Sequence, residues 1–190
     1  MTSQIPDIVR FNGKEYDLAG YDGGGLFDPL DYIVNTRPAS TACWRGFQVS
    51  YEVMNDKFIV DELKINSTSS PPPINDILPR KVEVPSMFTH VYENLDFIVD
   101  FTGKLVIGRE FIQSMYVHMG FHGADCYKDA HQFTVEHGII VSHVNISEQM
   151  AHRRKEGRSC KPKSPFVEEG GDGDVENWVR KRFSRRIDES

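Results

Sequence analysis

The stretch "IVRFNGKEYDL", residues 8–18, places Asn12-Gly13 between two short runs that favour β-structure. Asparagine and glycine tolerate the positive φ angles of a type I′ turn, and this pair is a strong signal for a tight hairpin. The stretch therefore predicts two antiparallel strands joined by a two-residue turn. It also indicates that the fold is built from β-hairpins.

The same form recurs three times along the chain, with apolar and polar residues alternating on both sides of a turn. The segments and their turn residues are 47–65 around Asn55-Asp56, 95–108 around Thr102-Gly103, and 131–146 around His137-Gly138. Period-two alternation is typical of a half-buried strand, so we expect four hairpins and about eight strands. The predicted class is a β-rich α+β fold, an antiparallel hairpin-built sheet or partly closed barrel with one or two short helices and a flexible C-terminal tail.

Changes in composition divide the chain into three regions. Residues 1–158 have the alternating apolar pattern of a β-rich globular domain, with short helices predicted at 109–119 and 147–158. Residues 159–174 are rich in glycine, proline and charge, which predicts a flexible linker. Residues 175–190 combine apolar residues at helical spacing with arginine and lysine, which predicts a basic amphipathic helix or a disordered tail. The tail residues expected to make contacts are Trp178, Arg180, Lys181, Arg182 and Phe183.

Charge is unevenly distributed between the body and the tail. Residues 151–190 hold eleven Lys and Arg against eight Asp and Glu, whereas residues 1–150 hold eleven against twenty. An acidic body repels nucleic-acid phosphates, so we expect no nucleic-acid binding by the main domain. No apolar run reaches the ~18 residues of a transmembrane segment, and the N-terminus lacks the pattern of a secretory signal. Three widely spaced cysteines suit a reducing compartment, so the predicted location is cytoplasmic.

Residues 115–127, "MYVHMGFHGADCY", carry the most suggestive chemistry in the chain. His118, His122 and Cys126 follow one another at intervals of four, so an unbroken helix would place three zinc ligands on one face. The glycines between them favour a turn, which could still assemble the ligands with Asp125 or His131 as a fourth ligand or orienting partner. The pattern lacks the intervening glutamate of metalloproteases and has low specificity. We therefore predict no cofactor. If a metal ion were bound, these residue types would select zinc.

The same residues define a catalytic hypothesis, with His118, His122, Asp125 and Cys126 as candidate catalytic residues. A zinc ion would lower the pKa of bound water to ~7, and a neighbouring carboxylate or imidazole would move its proton. Without metal, Cys126 or Cys43 would need a thiol pKa depressed by an imidazole to act as a nucleophile. Structural hydrogen bonding is the remaining interpretation, because buried polar groups usually have partners.

Two segments of the chain carry a resemblance. "CWRGF" at 43–47 and "YVHMGFH" at 116–122 resemble a set of small bacterial proteins that share C-W-R-G-[FY] and Y-V-H-M-G-F-H segments, and the similarity covers about residues 40–150. The set has no known activity, so the resemblance implies no fold, substrate or catalytic residue. It implies that residues 41–47 and 116–122 are related parts of one site. The candidate ligand- or partner-binding residues in these segments are Cys43, Trp44, Arg45, Tyr116 and Phe121.

Three functional hypotheses follow from these features. The first is a small acidic binding or accessory module that acts through a protein partner, as in immunity-type neutralisation of bacterial toxins. The alternative is an enzyme, such as a metal-dependent hydrolase, with its site in residues 118–126. In the third, the basic C-terminal helix is the functional element and contacts an acidic surface, a membrane or nucleic acid.

Overall fold

The computed structural model describes residues 2–32, 34–83, 85–161 and 175–187. The strands in these ranges are β1 Ile8–Phe11, β2 Lys14–Gly24, β3 Phe47–Met54, β4 Lys57–Ile65, β5 Arg80–Lys81, β6 His90–Tyr92, β7 Phe97–Ile98, β8 Thr102–Phe111, β9 Tyr127–Glu136 and β10 Ile139–Asn145. The α-helices are α1 Ser147–Lys155 and α2 Val175–Phe183. Single 3-10 turns lie at Pro29–Tyr32, Gln113–Met115 and Ala124–Cys126.

Seven of the strands form a closed barrel. Their order is β10-β9-β8-β2-β1-β3-β4, and β10 pairs with β4 at Ile139 and Lys57 to close the circle. Neighbouring strands are antiparallel except β1 and β3, which run parallel. Outside the barrel, β6 and β7 pair with β4, and β5 pairs with β6. The predicted β-rich α+β class is confirmed, and the sheet closes fully because β10 reaches the start of β4.

Three of the four predicted hairpins are present, and the remaining prediction is wrong. Asn12 and Gly13 have φ angles of 50° and 71° and join β1 to β2 as the sequence predicts. Thr102 and Gly103 do not form a turn, because they begin β8, while β7 pairs with β4 instead. A Cβ at Gly103 would lie 2.0 Å from the carbonyl oxygen of Asp22. This glycine therefore permits close approach of β8 to β2 rather than a reversal of the chain.

Large apolar side chains form one core cluster that includes residues of the barrel strands and of the segments packed against them. The largest fully buried residues are Tyr51, Tyr92, Phe58, Phe101, Phe133, Leu63, Ile65, Ile74, Leu105, Ile107, Val9 and Val34. Tyr51 and Phe58 stack with ring centroids 4.7 Å apart. The positions available for function are therefore at the barrel ends and on its outer surface.

The two helices predicted before residue 160 have different outcomes. The helix suggested at 109–119 is wrong, because β8 continues through Phe111, which pairs with Tyr127 of β9 and holds the chain extended. The helix at 147–158 is confirmed as α1, which packs Met150 against the outer side of the barrel. Ser147 is its first helical residue, and its hydroxyl accepts a hydrogen bond from the Ala130 N–H (3.0 Å) rather than capping the helix.

The predicted linker falls mainly on residues 162–174, which lie outside the described residues. Its first residues pack on the body. The Ser159 hydroxyl donates to Oδ2 of Asp125 (2.9 Å), and the buried Lys161 ammonium donates to the Ser184 carbonyl (2.9 Å). The basic segment forms α2, and the chain then runs along β2 as far as Ile187.

Candidate functional site

The two histidines of the 115–127 stretch face different environments. His118 is exposed, with its ring 5.1 Å from that of Tyr116. His122 is half-buried, and its Nε2 accepts a hydrogen bond from the Val117 N–H (3.2 Å). Burial, followed by the charge of Arg182, lowers the pKa of His122 to about 4. His122 is therefore neutral at pH 7 and acts as an acceptor that holds the loop.

Asp125 and Cys126 lie beneath this loop in a 3-10 turn. Asp125 is fully buried, and its Oδ1 has no hydrogen-bond partner. The Cys126 thiol lies 3.9 Å from the Met115 carbonyl oxygen. Burial and the nearby Asp125 raise the pKa of this thiol to about 12. Because a cysteine nucleophile needs a depressed pKa, the environment of Cys126 stabilises the unreactive thiol.

The predicted zinc ligands do not assemble in the part of the chain that the structure describes. Among those residues, no group of three His, Cys, Asp or Glu side chains is placed to hold a metal ion. His118 is exposed and Cys126 is buried, whereas zinc needs three or four ligands within ~2.3 Å of one point. His131, a further candidate ligand of this stretch, belongs to a different cluster in β9.

Arg45, in the predicted segment 41–47, binds a buried carboxylate. Its guanidinium contacts both oxygens of Asp7, at 2.6 and 2.8 Å, and Asp7 is fully buried. The Val49 N–H and Arg185 also donate to Asp7. Burial alone would raise the pKa of Asp7, but the two guanidinium charges and these hydrogen bonds lower it. Arg45 therefore fixes the segment before β3 to the start of β1.

Cys43 is a packed thiol rather than an activated one. It is buried, and its sulfur lies 3.5 Å from the Phe47 carbonyl oxygen. Burial is the largest of the effects that raise the pKa of Cys43 above its ordinary value. The thiol therefore has the opposite of the shift that a nucleophile requires.

The two segments predicted to form one site lie side by side. Gln4 joins them, because its backbone N–H donates to the Gly120 carbonyl (2.8 Å) while its side chain binds the Thr41 carbonyl (2.9 Å) and the Trp44 N–H (3.0 Å). The Arg45 guanidinium also lies 6.0 Å from the ring centroid of the buried Phe121. Residues 41–47 and 116–122 thus form one continuous surface.

The C-terminal segment lies against the same surface. Arg182 is buried and its Nε donates to the Met119 carbonyl (2.9 Å), while the Arg182 carbonyl accepts from the Phe121 N–H (3.0 Å). The Phe183 ring stacks on the Trp44 indole, with centroids 4.7 Å apart and an interplanar angle of 8°. Of the other tail residues named from the sequence, Trp178 is half-buried, and Arg180 and Lys181 are exposed.

We call this surface the aromatic face and define it as the exposed Trp44, Tyr116 and Val117 together with the half-buried Phe183. Trp44 is 44% exposed, Tyr116 41% and Val117 39%. The N-terminal residues connect its two sides, because the Ser3 hydroxyl donates to the Tyr116 hydroxyl (3.2 Å) and the neighbouring Thr2 hydroxyl donates to the Thr41 hydroxyl (3.2 Å). Exposed aromatic side chains on a hydrogen-bonded backbone are typical of the centre of a protein interface.

Sequence reasoning missed a second cluster, at one end of the barrel. His131 Nε2 lies 3.0 Å from Asp129 Oδ1, and its Nδ1 lies 2.8 Å from Nε2 of His143. Asp129 Oδ2 also accepts from the Tyr16 hydroxyl (3.1 Å) and from Arg109 Nε (3.4 Å). We call Asp129, His131 and His143 the histidine relay. The sequence feature that could have predicted part of this cluster is the spacing of Asp129 and His131, since residues two apart share one face of a strand.

A cavity of about 270 Å³ lies between α1 and the outer face of the barrel. Its lining includes Ala19, Val106 and Met150, with Lys104 and Arg153 among its charged groups. The small residues on β2 leave this space beneath the helix.

The chain matches no known protein family, no curated protein and no solved structure. None of the helices in the described residues has the length and apolar character needed to cross a bilayer. The aromatic face and the histidine relay are the two features of the structure whose geometry bears on function.

Proposed function

We propose that this protein is a small acidic binding module that acts through a protein partner, and that the aromatic face is its contact surface. The observation that carries the proposal is the exposed Trp44 indole, stacked on the half-buried Phe183 ring, on the same surface as the exposed Tyr116 and Val117. Tryptophan, tyrosine and arginine are the residues most enriched among those that dominate binding energy. Trp44 and Tyr116 belong to these residue types, and the Phe183 ring stacked on Trp44 extends their apolar surface.

The backbone beneath the face is held before any partner arrives. Gln4 binds both segments, and the Asp7–Arg45 pair fixes the segment that carries Trp44. The parallel Phe183 ring restricts the indole of Trp44 to one orientation. Association therefore orders few side chains, which lowers the entropic cost of binding.

Charge around the aromatic face favours a partner with an acidic rim. Arg180 and Lys181 are exposed on α2, which leads directly into Phe183. The body as a whole is acidic, but charges farther away than the Debye length of ~8 Å are largely screened at physiological salt. The local cations therefore decide the contact, and we propose that they meet carboxylates of the partner.

Two finer parts of the proposal have separate support. The three cysteines in the described residues are free thiols, which suits a reducing compartment such as the cytoplasm. We further propose a bacterial setting, in which immunity-type neutralisation of a toxin would be one form of partner binding; this part of the proposal rests only on the short segments at 43–47 and 116–122.

The hydrolase alternative at residues 118–126 has weaker support. The Cys126 thiol has a pKa raised to about 12, and His122 is a weak base because its pKa is lowered to about 4. His118 is exposed beside Tyr116. A partner-binding role uses the same loop without requiring an activated group in it.

Photo-crosslinking followed by titration tests the proposal. A photoreactive phenylalanine analogue at position 117 should form an adduct with one protein in cells, and the same group at Leu78 should not. Leu78 is the matched control, because it is 74% exposed and lies in a different segment. The partner, once purified, should bind the unlabelled protein in a saturable titration.

The Trp44→Ala variant then measures the contribution of the face. We expect its dissociation constant to rise by about 30-fold, the effect of losing ~2 kcal/mol at a dominant contact residue. The Leu78→Ala variant should bind within about 2-fold of wild type, as expected for a residue outside the interface. Equal affinity of Trp44→Ala and wild type, or no saturable binding of the purified protein, would refute the proposed face.

A further inference from the structure

The histidine relay is a continuous hydrogen-bonded chain from a carboxylate to an exposed imidazole. Asp129 lies on β9 with Nε2 of His131 at 3.0 Å from its Oδ1, and His143 on β10 completes the chain at 2.8 Å. His131 is buried, whereas His143 is exposed. The chain thus runs outward from the barrel end to solvent.

The carboxylate determines where the protons lie. Hydrogen bonds from Tyr16 and Arg109 and the charge of His131 lower the pKa of Asp129 despite its partial burial, so it is ionised at neutral pH. An ionised carboxylate only accepts, and Nε2 of His131 therefore carries the proton that faces it. In the neutral pair, Nδ1 of His131 then accepts from Nε2 of His143. Nδ1 of His143 is left with its lone pair.

The rings around His143 hold it in place. The Phe133 ring stacks on it with centroids 4.7 Å apart, and the Phe11 ring meets it edge-on at 4.9 Å. A second His–Asp pair in the molecule lacks this setting. His137 Nδ1 lies 2.8 Å from Asp100 Oδ1, and both side chains are more than four-fifths exposed.

We propose that the histidine relay is a general-base site that hydrolyses esters of apolar or aromatic alcohols, with His143 as the catalytic base and His131 and Asp129 as positioning residues. The half-buried Phe11 ring, which meets His143 edge-on, offers an apolar contact to a flat, uncharged leaving group. The lone pair on Nδ1 suits removal of a proton from water. This activity is separate from the partner binding proposed for the aromatic face.

The reaction balances with water as the only co-reactant. Nδ1 of His143 takes a proton from water as the water oxygen bonds to the ester carbonyl carbon, and the C=O electron pair moves to the carbonyl oxygen. The Nε2 proton of His143 moves to Nδ1 of His131, which places the positive charge beside Asp129. Collapse of the tetrahedral intermediate breaks the bond to the leaving oxygen, and the protons return along the relay to that oxygen. The products are one carboxylic acid and one alcohol or phenol.

Hydrolysis of 4-nitrophenyl acetate tests the site. We expect kcat/KM to rise with pH to a plateau as His143 loses its proton, with His131 and Asp129 of β9, Tyr16 of β2 and Arg109 of β8 as the titratable or charged groups facing it. The His143→Gln variant should lose at least about 100-fold in kcat/KM, the usual contribution of a general base. Asp129→Asn should lower kcat by about 10-fold and shift the midpoint of the pH profile, with KM little changed.

The His137→Gln variant is the matched control and should hydrolyse the ester at the wild-type rate. If His143→Gln does not fold, as judged by circular dichroism, diethyl pyrocarbonate provides a second route on wild type. Modification mapped to His143 should then abolish hydrolysis. Wild-type rates in folded His143→Gln, activity that survives modification of His143, or a rate no greater than that of free imidazole at the same histidine concentration would overturn the proposal.

Discussion

Asp7 shows how one residue at the start of β1 joins three distant parts of the chain. It accepts from Arg45, from the Val49 N–H and from Arg185, and it is fully buried. Removing one partner from a buried ion pair typically costs 3–5 kcal/mol, because the remaining charge stays buried without compensation. The pair therefore ties the barrel, the aromatic face and the C-terminal segment together.

We expect Arg45→Gln to lower the free energy of unfolding by about 3 kcal/mol at pH 7. The matched control is Arg80→Gln, which removes an equally close arginine–carboxylate contact, 2.7 Å from Glu93, that is largely exposed. Exposed pairs contribute ~1 kcal/mol or less, so this control should change little. Urea denaturation of the three proteins measures the difference, and equal losses in both variants would contradict the structural role of Asp7.

The same experiment has a defined pH dependence. The pKa of Asp7 is lowered in the folded protein, so its ionised form contributes stability that is fully present above the unfolded pKa of ~3.9. This contribution is lost as the pH falls through the lower folded pKa. The stability gap between wild type and Arg45→Gln should therefore be constant from pH 7 to about pH 5 and narrow below pH 4.

Residues such as Asn12 and Gly13 were predictable because their backbone angles depend on local chemistry. Asp7 was not predicted, because its two arginine partners lie far along the chain and no local pattern connects them. The histidine relay was missed for the same reason, since His143 reaches His131 only through the pairing of β9 with β10. A sequence shows the local propensity of its residues. Contacts between residues far apart in the chain can be identified only from the folded structure.

Among the elements, the alternation of apolar and polar residues predicted the hairpins. It did not predict how the strands of different hairpins pair with one another. Three predicted hairpins form, but the parallel pairing of β1 with β3 and the closure of β10 on β4 bring together segments with no shared sequence signal. The turn expected at Gly103 is instead a close crossing of β8 with β2. A glycine can permit either a turn or the close approach of two strands, and the position of the neighbouring strand determines which of the two occurs.

The C-terminal segment forms α2 and then continues beside β2. The Tyr21 N–H donates to the Arg185 carbonyl (2.9 Å), and the Ile187 N–H donates to the Tyr21 carbonyl (2.9 Å). The segment also supplies Arg185, which is the second arginine that binds Asp7, and Phe183, whose ring stacks on Trp44. These contacts make it a structural part of the domain as well as a candidate binding element.

Deletion of residues 175–190 should therefore destabilise the folded domain. We expect a loss of about 3 kcal/mol or more, because Asp7 keeps only one guanidinium and Arg182 no longer fills the space beside Gly120. Calorimetric unfolding of the truncated and full-length chains measures the change. Arg180→Gln, an exposed substitution on the same helix, should leave the melting temperature nearly unaltered. An unchanged melting temperature after the deletion would mean that the segment only tethers the domain.

For the molecule as a whole, the barrel acts as a rigid support for two surfaces with different chemistry. Its core is formed by apolar side chains, the histidine relay lies at one end, and the aromatic face lies where three chain segments meet. The β-rich class was predictable from alternation alone. The aromatic face was predictable only in part, because the sequence identified two of its segments but not the way in which Gln4 and Phe183 join them.

If the aromatic face is the contact surface, Trp44 becomes buried when the partner binds, and fluorescence quenching measures that burial. The chain has two tryptophans, so a Trp178→Phe variant leaves Trp44 as the single reporter. Acrylamide should quench this half-exposed indole readily in the free protein, and addition of the purified partner should reduce the quenching constant several-fold. An unchanged quenching constant in a saturated complex would show that the partner binds elsewhere and would contradict the proposed function of the aromatic face.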